Sequence, residues 1–267
     1  MRLVVLGDPV DHSLSPLLHT SALRAAGIAG SYDRCRVDLA GMRDAVARIA
    51  AGDLDGANVT MPHKRLVAEL ADVLAGDAVR TGVVNTLTRV GDDVVGHNTD
   101  VAGIRRAWEW ACLPADAPLL LLGAGGAASA AVAALDGHRI TVAARRPDTV
   151  GRLDAVAGEP LAAAPWGSPG RGAVVVNATP IGIHGEELPA GTLDGALGIF
   201  DMAYGPAPTP AVGRGEAAGV PVADGPAMLL GQAMESFRLW TGHPAPLEAM
   251  QRALAAEVGR SVGAHCS

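Results

Sequence analysis

A glycine-rich turn that follows a short apolar run constrains the fold of this 267-residue chain most strongly. The run Leu119–Leu122 leads into Gly123, Gly125 and Ala128 in the spacing G-x-G-x-x-A, and an uncharged alanine-rich segment follows. Between a strand and a helix, the first glycine permits a tight turn, the second lets the backbone approach a pyrophosphate, and the alanine allows close packing of the helix on the strand. The pattern predicts a doubly wound parallel sheet that binds a dinucleotide.

The residues after the next expected strand, 139–143, indicate which dinucleotide binds. An NAD site offers a carboxylate to the ribose hydroxyl about twenty residues after the turn. Here Arg145 and Arg146 stand at that position, without an acid. Two arginines after a strand are also typical of a solvated turn, but after a dinucleotide turn they favour a 2′-phosphate. We therefore expect NADP, with Gly126 and Ala127 completing the pyrophosphate-binding turn.

Composition excludes several classes of partner. The net charge is −7 and only 18% of residues are charged, so the broad basic surface that nucleic acid or an anionic membrane requires is not expected. Three widely spaced cysteines, Cys35, Cys112 and Cys266, argue against a disulfide framework and against a zinc cluster. The uncharged segment 117–135 has about the length of a membrane span, but its glycines and proline indicate a buried strand, turn and helix. We expect a cytoplasmic protein without a membrane partner or a bound metal.

Alternating strand and helix patterns over residues 1 to about 100 predict a first α/β layer. We expect its strands over 3–6, 32–37, 56–60, 83–88 and 93–95, and its helices over 16–26, 41–51 and 63–74. A helix over 101–112 leads into the second unit, whose further strands are expected over 173–176, 198–202 and 220–222, and helices over 226–240 and 246–258 close the chain.

Lysine and asparagine are scarce, and their few positions cluster. Of the 21 basic residues, twenty are arginine and one is Lys64. An ammonium group can release a proton in acid–base catalysis, whereas a guanidinium effectively cannot, so this lysine indicates a site where arginine will not serve. The four asparagines, each followed within two residues by threonine, are Asn58, Asn85, Asn98 and Asn177. A compositional bias of the genome explains any one of them, but not three that lie around Lys64.

Polar motifs in the first hundred residues suit a small polyhydroxylated ligand. Ser13 and Ser15 precede a helix, and Ser15 is expected as its N-cap. Two hydroxyls beside free N–H groups at a helix start also suit a carboxylate. The strand that ends near Thr60 precedes the helix that carries Lys64. Lys64 and Asp100 form a candidate proton-transfer pair.

Eight motifs follow one another along nearly the whole chain: HSLSP, ANVTMPHK, VVNTL, HNTD, GAGGAA, NATPIGI, FDMAY and ADGPAMLLGQA. In this order and spacing they resemble the shikimate dehydrogenase family, far more specifically than the glycine turn alone. The resemblance implies NADP-dependent interconversion of 3-dehydroshikimate and shikimate, on the route to chorismate and the aromatic amino acids. It also implies a substrate domain of 1–100 and 225–267, in which the C-terminal helices pack back on the first domain, and a Rossmann-type NADP-binding domain of 101–224. The site is then expected between the two domains.

The resemblance assigns roles residue by residue. Ser13 and Ser15 would hold the substrate carboxylate, and Lys64 would be the catalytic residue, oriented by Asp100. Residues expected to bind the rest of the substrate are Thr60, Asn85, Asp100, Tyr204 and Gln232. Residues expected to hold the cofactor are Gly123, Gly125, Gly126, Ala127 and Ala128 at the pyrophosphate, Arg145 and Arg146 at the 2′-phosphate, and Thr179, Met202, Gly225 and Met228 elsewhere, the last three with Tyr204 around the nicotinamide.

The sequence departs from the family pattern at three sites. The usual Asn-Arg-Thr after the second dinucleotide strand is Ala144, Arg145 and Arg146 here, which removes an amide and adds a charge. His97 stands where relatives often have an acid, and Ala227 where glycine is common. None of these changes removes a catalytic group.

Three other functions share much of this pattern. A quinate or quinate/shikimate dehydrogenase would keep nearly every motif but tend to use NAD, with an acid near Arg145. An aminoshikimate enzyme would differ only in a ring substituent of its substrate. A non-catalytic dinucleotide-sensing relative would have no reason to keep both Lys64 and Asp100. In each enzymatic case the partner is a small molecule, and the chain is expected to be a monomer or a homodimer.

Overall fold

The computed structural model describes residues 1–263, so that Cys266 and the end of the predicted range 225–267 lie outside the described residues. The chain divides into two units. The first comprises Met1–Gly103 and Leu229–Val262, and the second comprises Ile104–Met228. Each unit contains one six-stranded sheet with helices packed on it, as alternating patterns predict for α/β layers.

The sheet of the first unit combines parallel and antiparallel pairing. Its elements are β1 (Arg2–Gly7), α1 (Ser15–Ala25), β2 (Ser31–Arg36), α2 (Leu39–Ala50), β3 (Gly56–Val59), α3 (Lys64–Leu70), β4 (Val73–Leu74), α4 (Asp77–Thr81), β5 (Thr86–Val90) and β6 (Asp93–His97). The strand order is β2-β1-β3-β5-β6-β4. Strand β1 pairs in parallel with β2 and β3, whereas β5 pairs antiparallel with β3 and β6. The antiparallel register places Thr86 opposite Asn58.

The second unit is a parallel, doubly wound sheet, as the glycine turn predicts. Helix α5 (Asp100–Trp110) leads into it, and its elements are β7 (Leu119–Leu122), α6 (Gly126–Ala134), β8 (Ile140–Ala143), a 3-10 turn (Pro147–Thr149), α7 (Gly151–Ala157), β9 (Ala162–Ala164), β10 (Val174–Asn177), β11 (Gly198–Asp201), α8 (Pro210–Ala218) and β12 (Val222–Asp224). The strand order β12-β11-β10-β7-β8-β9 reverses between β7 and β10. Ligands of such sheets bind at the carboxyl ends of the strands at this reversal, next to Gly123 and Asn177.

Helices α9 (Gly225–Thr241) and α10 (Leu247–Val258) close the chain. Beyond residue 228 they belong to the first unit. Trp240 Nε1 on α9 donates to Leu87 O at 2.9 Å, and Ser21 Oγ on α1 donates to Ala249 O at 3.1 Å. The expected packing of the C-terminal helices on the first part of the chain is confirmed.

Two element boundaries in the first unit differ from prediction by more than two residues. The helix expected to reach residue 74 ends at Leu70, because Asp72 joins the sheet instead: its N–H donates to Val94 O at 2.9 Å and its carboxylate accepts from Val94 N at 2.8 Å. The chain then continues as the edge strand β4. The strand expected from residue 83 begins only at Thr86 and follows the short helix α4, which the sequence pattern did not predict.

The cysteines differ in state. Cys35 is a free thiol, whereas Cys112 is disulfide-bonded. Within residues 1–263, no helix is long and apolar enough to cross a membrane, and no group of three or more histidine, cysteine, aspartate or glutamate side chains is placed to hold a metal ion.

Candidate active site

A lysine–aspartate ion pair forms the centre of the candidate site in the first unit. Lys64 is the first residue of α3, after a turn that contains the cis peptide bond between Met61 and Pro62. Asp100 is the first residue of α5, where a carboxylate is favoured by the N-terminal end of the helix. Lys64 Nζ donates to Asp100 Oδ2 at 2.6 Å, and the side chains are 20% and 6% exposed, respectively. The lysine side chain therefore remains partly accessible, while its carboxylate partner is held in the protein interior.

Asn85 and Gln232 complete the cluster. Asn85 Nδ2 donates to Asp100 Oδ1 at 2.8 Å, so that both oxygens of the carboxylate are engaged. Gln232 Oε1, on α9, lies 3.5 Å from Asn85 Nδ2 and accepts from Thr99 Oγ1 at 3.2 Å. Four sequence-predicted residues from separate segments, Lys64, Asn85, Asp100 and Gln232, thus lie together.

A layer of buried polar side chains supports this cluster from within the first unit. The hydroxyls of Thr86, Thr99 and Ser236 lie 3.0 to 3.1 Å from one another. Asn58 Nδ2 donates to Thr86 Oγ1 at 3.0 Å, and Asn58 Oδ1 accepts from Tyr32 at 2.6 Å. Scarce asparagines followed by threonines were a sequence signal for part of this layer. Nothing in the sequence singled out Ser236.

The segment that carries Ser13 and Ser15 is fixed at the start of α1. The prediction of Ser15 as N-cap is wrong, because the helix begins at Ser15 and Leu14 is the N-cap; Ser13 Oγ accepts from the Ser15 N–H at 3.3 Å. Arg34, which the sequence analysis did not single out, donates through Nε and Nη2 to Ser13 O at 3.1 and 2.7 Å. Within residues 1–263, no hydrogen bond joins Ser13, Ser15 or Thr60 to the Lys64 cluster.

His19, also on α1, lies behind the same region and is fully buried. Its ring stacks on Tyr32 with centroids 4.5 Å apart and meets the edge of Trp240 at 5.0 Å. Neither ring nitrogen has a hydrogen-bond partner within the described part of the chain. Burial lowers the pKa of His19 to about 3, because the charged form would lose its hydration. The histidine is therefore neutral at physiological pH and acts as an aromatic packing residue.

In the second unit, the glycine turn has the geometry that a pyrophosphate requires. Gly123 has φ +108°, and a Cβ there would lie 3.0 Å from Thr179 Cγ2, so only glycine fits. A Cβ on Gly125 would meet no described atom within 4 Å, which leaves open space beside the N-terminus of α6. The N–H groups of the first helical turn, at Gly126, Ala127 and Ala128, have no partner within the helix and can donate to an anion.

Arg145 and Arg146 follow the end of β8, the neighbour of β7, and both are exposed. They are the cationic groups that come directly after the second strand of the dinucleotide-binding unit. A phosphorylated dinucleotide needs groups that bind its pyrophosphate and its extra phosphate. The glycine turn with its helix N-terminus suits the pyrophosphate, and the two exposed guanidinium groups suit the extra phosphate. The described residues of the second unit therefore provide the groups that bind the pyrophosphate and the 2′-phosphate of NADP.

A buried carboxyl group organises the residues predicted to lie near the nicotinamide. Asp201, at the end of β11, accepts from Asn177 Nδ2 at 2.8 Å, Ala203 N at 3.0 Å and Thr209 Oγ1 at 2.6 Å. Burial raises the pKa of Asp201, and these hydrogen bonds oppose the change. Asn177 Oδ1 in turn accepts from Thr179 Oγ1 at 2.6 Å. The sequence analysis noted Asp201 only as part of the FDMAY motif.

Gly225 lies directly against the segment that follows Asp201. A Cβ on Gly225 would lie 2.9 Å from Met202 O and 2.8 Å from Tyr204 Cβ. The structure therefore brings Met202, Tyr204 and Gly225 together, and Met228 follows in the first turn of α9. Their role at the nicotinamide stays a prediction.

The comparisons with known proteins agree with this geometry. Residues 5–87 match the family model of the shikimate dehydrogenase substrate binding domain, and residues 227–255 match that of the shikimate 5'-dehydrogenase C-terminal domain. The chain is 36% identical to a shikimate dehydrogenase (NADP(+)) of Citrifermentans bemidjiense, over 95% of this chain and 94% of that protein, and 39% identical to one of an Anaeromyxobacter species, over 96% of both.

Among solved structures, the chain resembles shikimate 5-dehydrogenase from Thermus thermophilus, in complex with NADP(H) and shikimate, with a TM-score of 0.88 and 33% identity, over 97% of this chain and 100% of that one. The similarity therefore extends through both units. The chain belongs to the shikimate dehydrogenase family.

Proposed function

We propose that this protein catalyses the reversible, NADP-dependent interconversion of 3-dehydroshikimate and shikimate. The observation that carries the proposal is the ion pair between Lys64 and Asp100, with 2.6 Å between Nζ and Oδ2 and with Asn85 bound to the other carboxylate oxygen. The relatives of this chain are named shikimate dehydrogenase (NADP(+)). A lysine beside a fixed carboxylate supplies a proton donor next to an acceptor for a substrate hydroxyl.

The second unit would hold the cofactor through the turn from Gly123 to Ala128 and through Arg145 and Arg146. When bound, NADPH supplies the hydride that reduces a ketone carbon, and NADP⁺ accepts it in the reverse direction. The first-turn N–H groups of α6 would bind the pyrophosphate, and the guanidinium groups would bind the 2′-phosphate. Thr179, Met202, Gly225 and Met228 would complete the site.

Lys64 would donate a proton from Nζ to the oxygen of the ketone as it is reduced, and would take it back during oxidation. Asp100 holds the ammonium in place and would accept a hydrogen bond from a neighbouring substrate hydroxyl. Asn85 prevents the carboxylate from turning away, because it occupies Oδ1. Gln232, Thr60 and Tyr204 would bind the remaining substrate groups.

Ser13 and Ser15 would bind the substrate carboxylate through their neutral hydroxyl groups. Their hydroxyls lie at the start of α1, where the helix dipole favours an anion. Arg34 holds the backbone of Ser13 through two hydrogen bonds to its carbonyl oxygen. We also propose that residues 1–100 with 225–267 form the substrate domain and residues 101–224 the NADP-binding domain, that the protein is cytoplasmic, and that it is a monomer or a homodimer.

A quinate dehydrogenase is the second candidate, and Arg145 with Arg146 weighs against it. Residues 144–147, which directly follow β8, include no acid to bind a free ribose hydroxyl. An aminoshikimate enzyme would present the same site to a different ring substituent.

Four initial-rate assays on the purified protein test the proposal: shikimate and quinate, each with NADP⁺ and with NAD⁺. We expect the highest kcat/KM for shikimate with NADP⁺. A higher value for quinate with NAD⁺ would establish the second candidate instead. An inactive protein that still binds NADP⁺ would be a dinucleotide-sensing relative.

A further inference from the structure

The amide groups of Asn85 and Gln232 have defined orientations, which follow from donors that cannot act as acceptors. The backbone N–H of Thr99 donates to Asn85 Oδ1 at 2.7 Å, so the oxygen of that amide must point there. Asn85 Nδ2 then faces Asp100 Oδ1 and Gln232 Oε1. If the Gln232 amide were reversed, two NH2 groups would face each other. Its oxygen is therefore held inward.

The direction of the hydrogen bonds in the buried layer is set at Asn58. Tyr32 donates to Asn58 Oδ1, and Asn58 Nδ2 therefore donates to the hydroxyls of Thr86 and Ser236, at 3.0 and 3.1 Å. These hydroxyls can then donate onward, away from Asn58. Chains of hydrogen bonds that run in one direction strengthen one another in a dry interior.

Ser236 is the residue of this buried layer that lies on the same helix as Gln232. It lies one helical turn after Gln232 on α9 and is fully buried. Its hydroxyl donates to Gln232 O at 3.1 Å and lies 3.1 Å from Thr99 Oγ1. The hydrogen of the Thr99 hydroxyl has two side-chain acceptors within reach, Asn85 Oδ1 at 3.0 Å and Gln232 Oε1 at 3.2 Å. Ser236 thus contacts both the backbone of Gln232 and the hydroxyl that lies against its side-chain oxygen.

We propose that Ser236 is a positioning residue, which holds the Gln232 amide with its oxygen inward and its NH2 group toward the substrate. The proposal rests on the proposed function, in which Gln232 binds the substrate. Gln232 Nε2 makes no hydrogen bond within residues 1–263. The site therefore offers N–H donors at Lys64 and Gln232, and one carboxylate acceptor, Asp100. A substrate oxygen at Gln232 must accept a hydrogen bond there.

A double-mutant cycle tests whether Ser236 acts through Gln232. We expect Ser236→Ala alone to lower kcat/KM for shikimate about fivefold, as loss of one oriented hydrogen bond does. In the Gln232→Ala background the same change should cost less than about twofold, because the group that it positions is gone. Equal losses in both backgrounds would overturn the proposal. If Ser236→Ala does not fold, Ser236→Cys, a weak donor of similar size, takes its place in the cycle.

Thr241→Ala is the matched control. Thr241 lies on the same helix, and its hydroxyl donates to Phe237 O at 2.8 Å, four residues earlier, as that of Ser236 does to Gln232 O. It touches none of the buried hydroxyls of the layer. We expect kcat/KM to stay within about twofold of the unmodified protein. A loss as large as that of Ser236→Ala would mean that any damage to α9 has the same effect, which would overturn the proposal.

The side-chain amide signal of Gln232 in a ¹⁵N–¹H spectrum provides a second readout, identified by its loss in Gln232→Ala. The spectrum is recorded without substrate. It therefore tests the position of the Gln232 amide even if the protein does not oxidise shikimate and the proposed function fails. We expect Ser236→Ala to move this signal and Thr241→Ala to leave it in place. An unmoved signal in Ser236→Ala would show that Ser236 does not position the amide.

Discussion

The two units differ in how their binding residues are held, by a buried hydrogen-bond network in the first unit and by exposed groups in the second. In the first unit, Lys64 pairs with a carboxylate whose other oxygen is held by Asn85, and a buried layer that includes Ser236 fixes the amides. In the second, the expected phosphate contacts come from backbone N–H groups at a helix start and from the exposed side chains of Arg145 and Arg146. A buried network loses its geometry when one member is removed, whereas an exposed cation can be removed without disturbing its neighbours. Substitutions should therefore have different consequences in the two units.

The largest effect is expected at Lys64. General acid–base catalysis typically supplies about a hundredfold to ten-thousandfold in rate, so Lys64→Ala should lower kcat by that order and change KM for shikimate much less. Steady-state kinetics measure both, and the dissociation constant of NADP⁺ serves as a control that the second unit is intact. A variant that lost affinity but kept its kcat would place Lys64 in binding rather than in catalysis.

The cofactor site should respond more selectively. Arg145→Ala should weaken NADP⁺ binding roughly 10- to 150-fold, as expected for charge-assisted hydrogen bonds to a phosphate, and leave NAD⁺ binding nearly unchanged. Titration calorimetry with both dinucleotides measures the difference. Arg152→Ala, which removes another exposed arginine of the second unit on α7, should affect neither. Equal losses for NADP⁺ and NAD⁺ would show that Arg145 does not contact the 2′-phosphate.

The buried side of the first unit should become visible in the pH dependence of stability. The unfolded chain protonates His19 near pH 6.5, but the folded protein only near its pKa of about 3, so the unfolded state binds more protons between these values. The contribution of the buried, neutral His19 to the free energy of unfolding is complete above pH 6.5 and declines as the pH falls. The free energy of unfolding should lose about 2 kcal/mol between pH 6.5 and 5 from this group.

Denaturant unfolding at several pH values measures this loss, which His19→Phe should abolish while keeping an aromatic ring against Tyr32. The exposed His243 provides the control, since His243→Phe should keep the pH dependence of the unmodified protein. Identical pH dependence in His19→Phe and the unmodified protein would mean that His19 has the same pKa in the folded and unfolded states, and the buried, neutral histidine described here would be wrong.

The smallest effect is expected at the substrate carboxylate. Ser13→Ala should raise KM for shikimate about fivefold and leave kcat nearly unchanged, because one hydrogen bond remote from the reacting carbon is lost. Arg34 holds the Ser13 backbone and not its hydroxyl, so the loop should keep its conformation. A change confined to kcat would place Ser13 away from the carboxylate.

The two units also differ in how much of them could be predicted from the sequence. The parallel strands of the second unit are short buried runs, and the turn after Leu122 has a spacing that few other folds require, so both the doubly wound parallel sheet and the turn could be anticipated. In the first unit, the scarcity of lysine and the ordered motifs pointed to Lys64 and Asp100. The end of α3 at Leu70 could not be predicted, because pairing of Asp72 with Val94 overrides helix propensity.

Long-range side-chain contacts account for most of what the sequence analysis missed. Ser236 lies 150 residues from Thr86 along the chain, although their hydroxyls are 3.0 Å apart, and a serine in a helix has no pattern that distinguishes it. Arg34 is one of twenty arginines and is exposed, so its contact with Ser13 became evident only in the fold. Such contacts depend on how strands and helices pack, which local spacing does not encode.

Lys64→Arg tests the central claim, acid–base catalysis by Lys64, most directly. Arginine keeps the positive charge beside Asp100, but a guanidinium does not readily release a proton, and its planar group places its donors differently. We expect kcat for shikimate oxidation with NADP⁺ to remain below about a tenth of that of the unmodified protein, with shikimate still bound. If Lys64→Arg restores more than about a tenth of the activity, Lys64 acts as a fixed charge, and the proton-transfer role assigned to it is wrong.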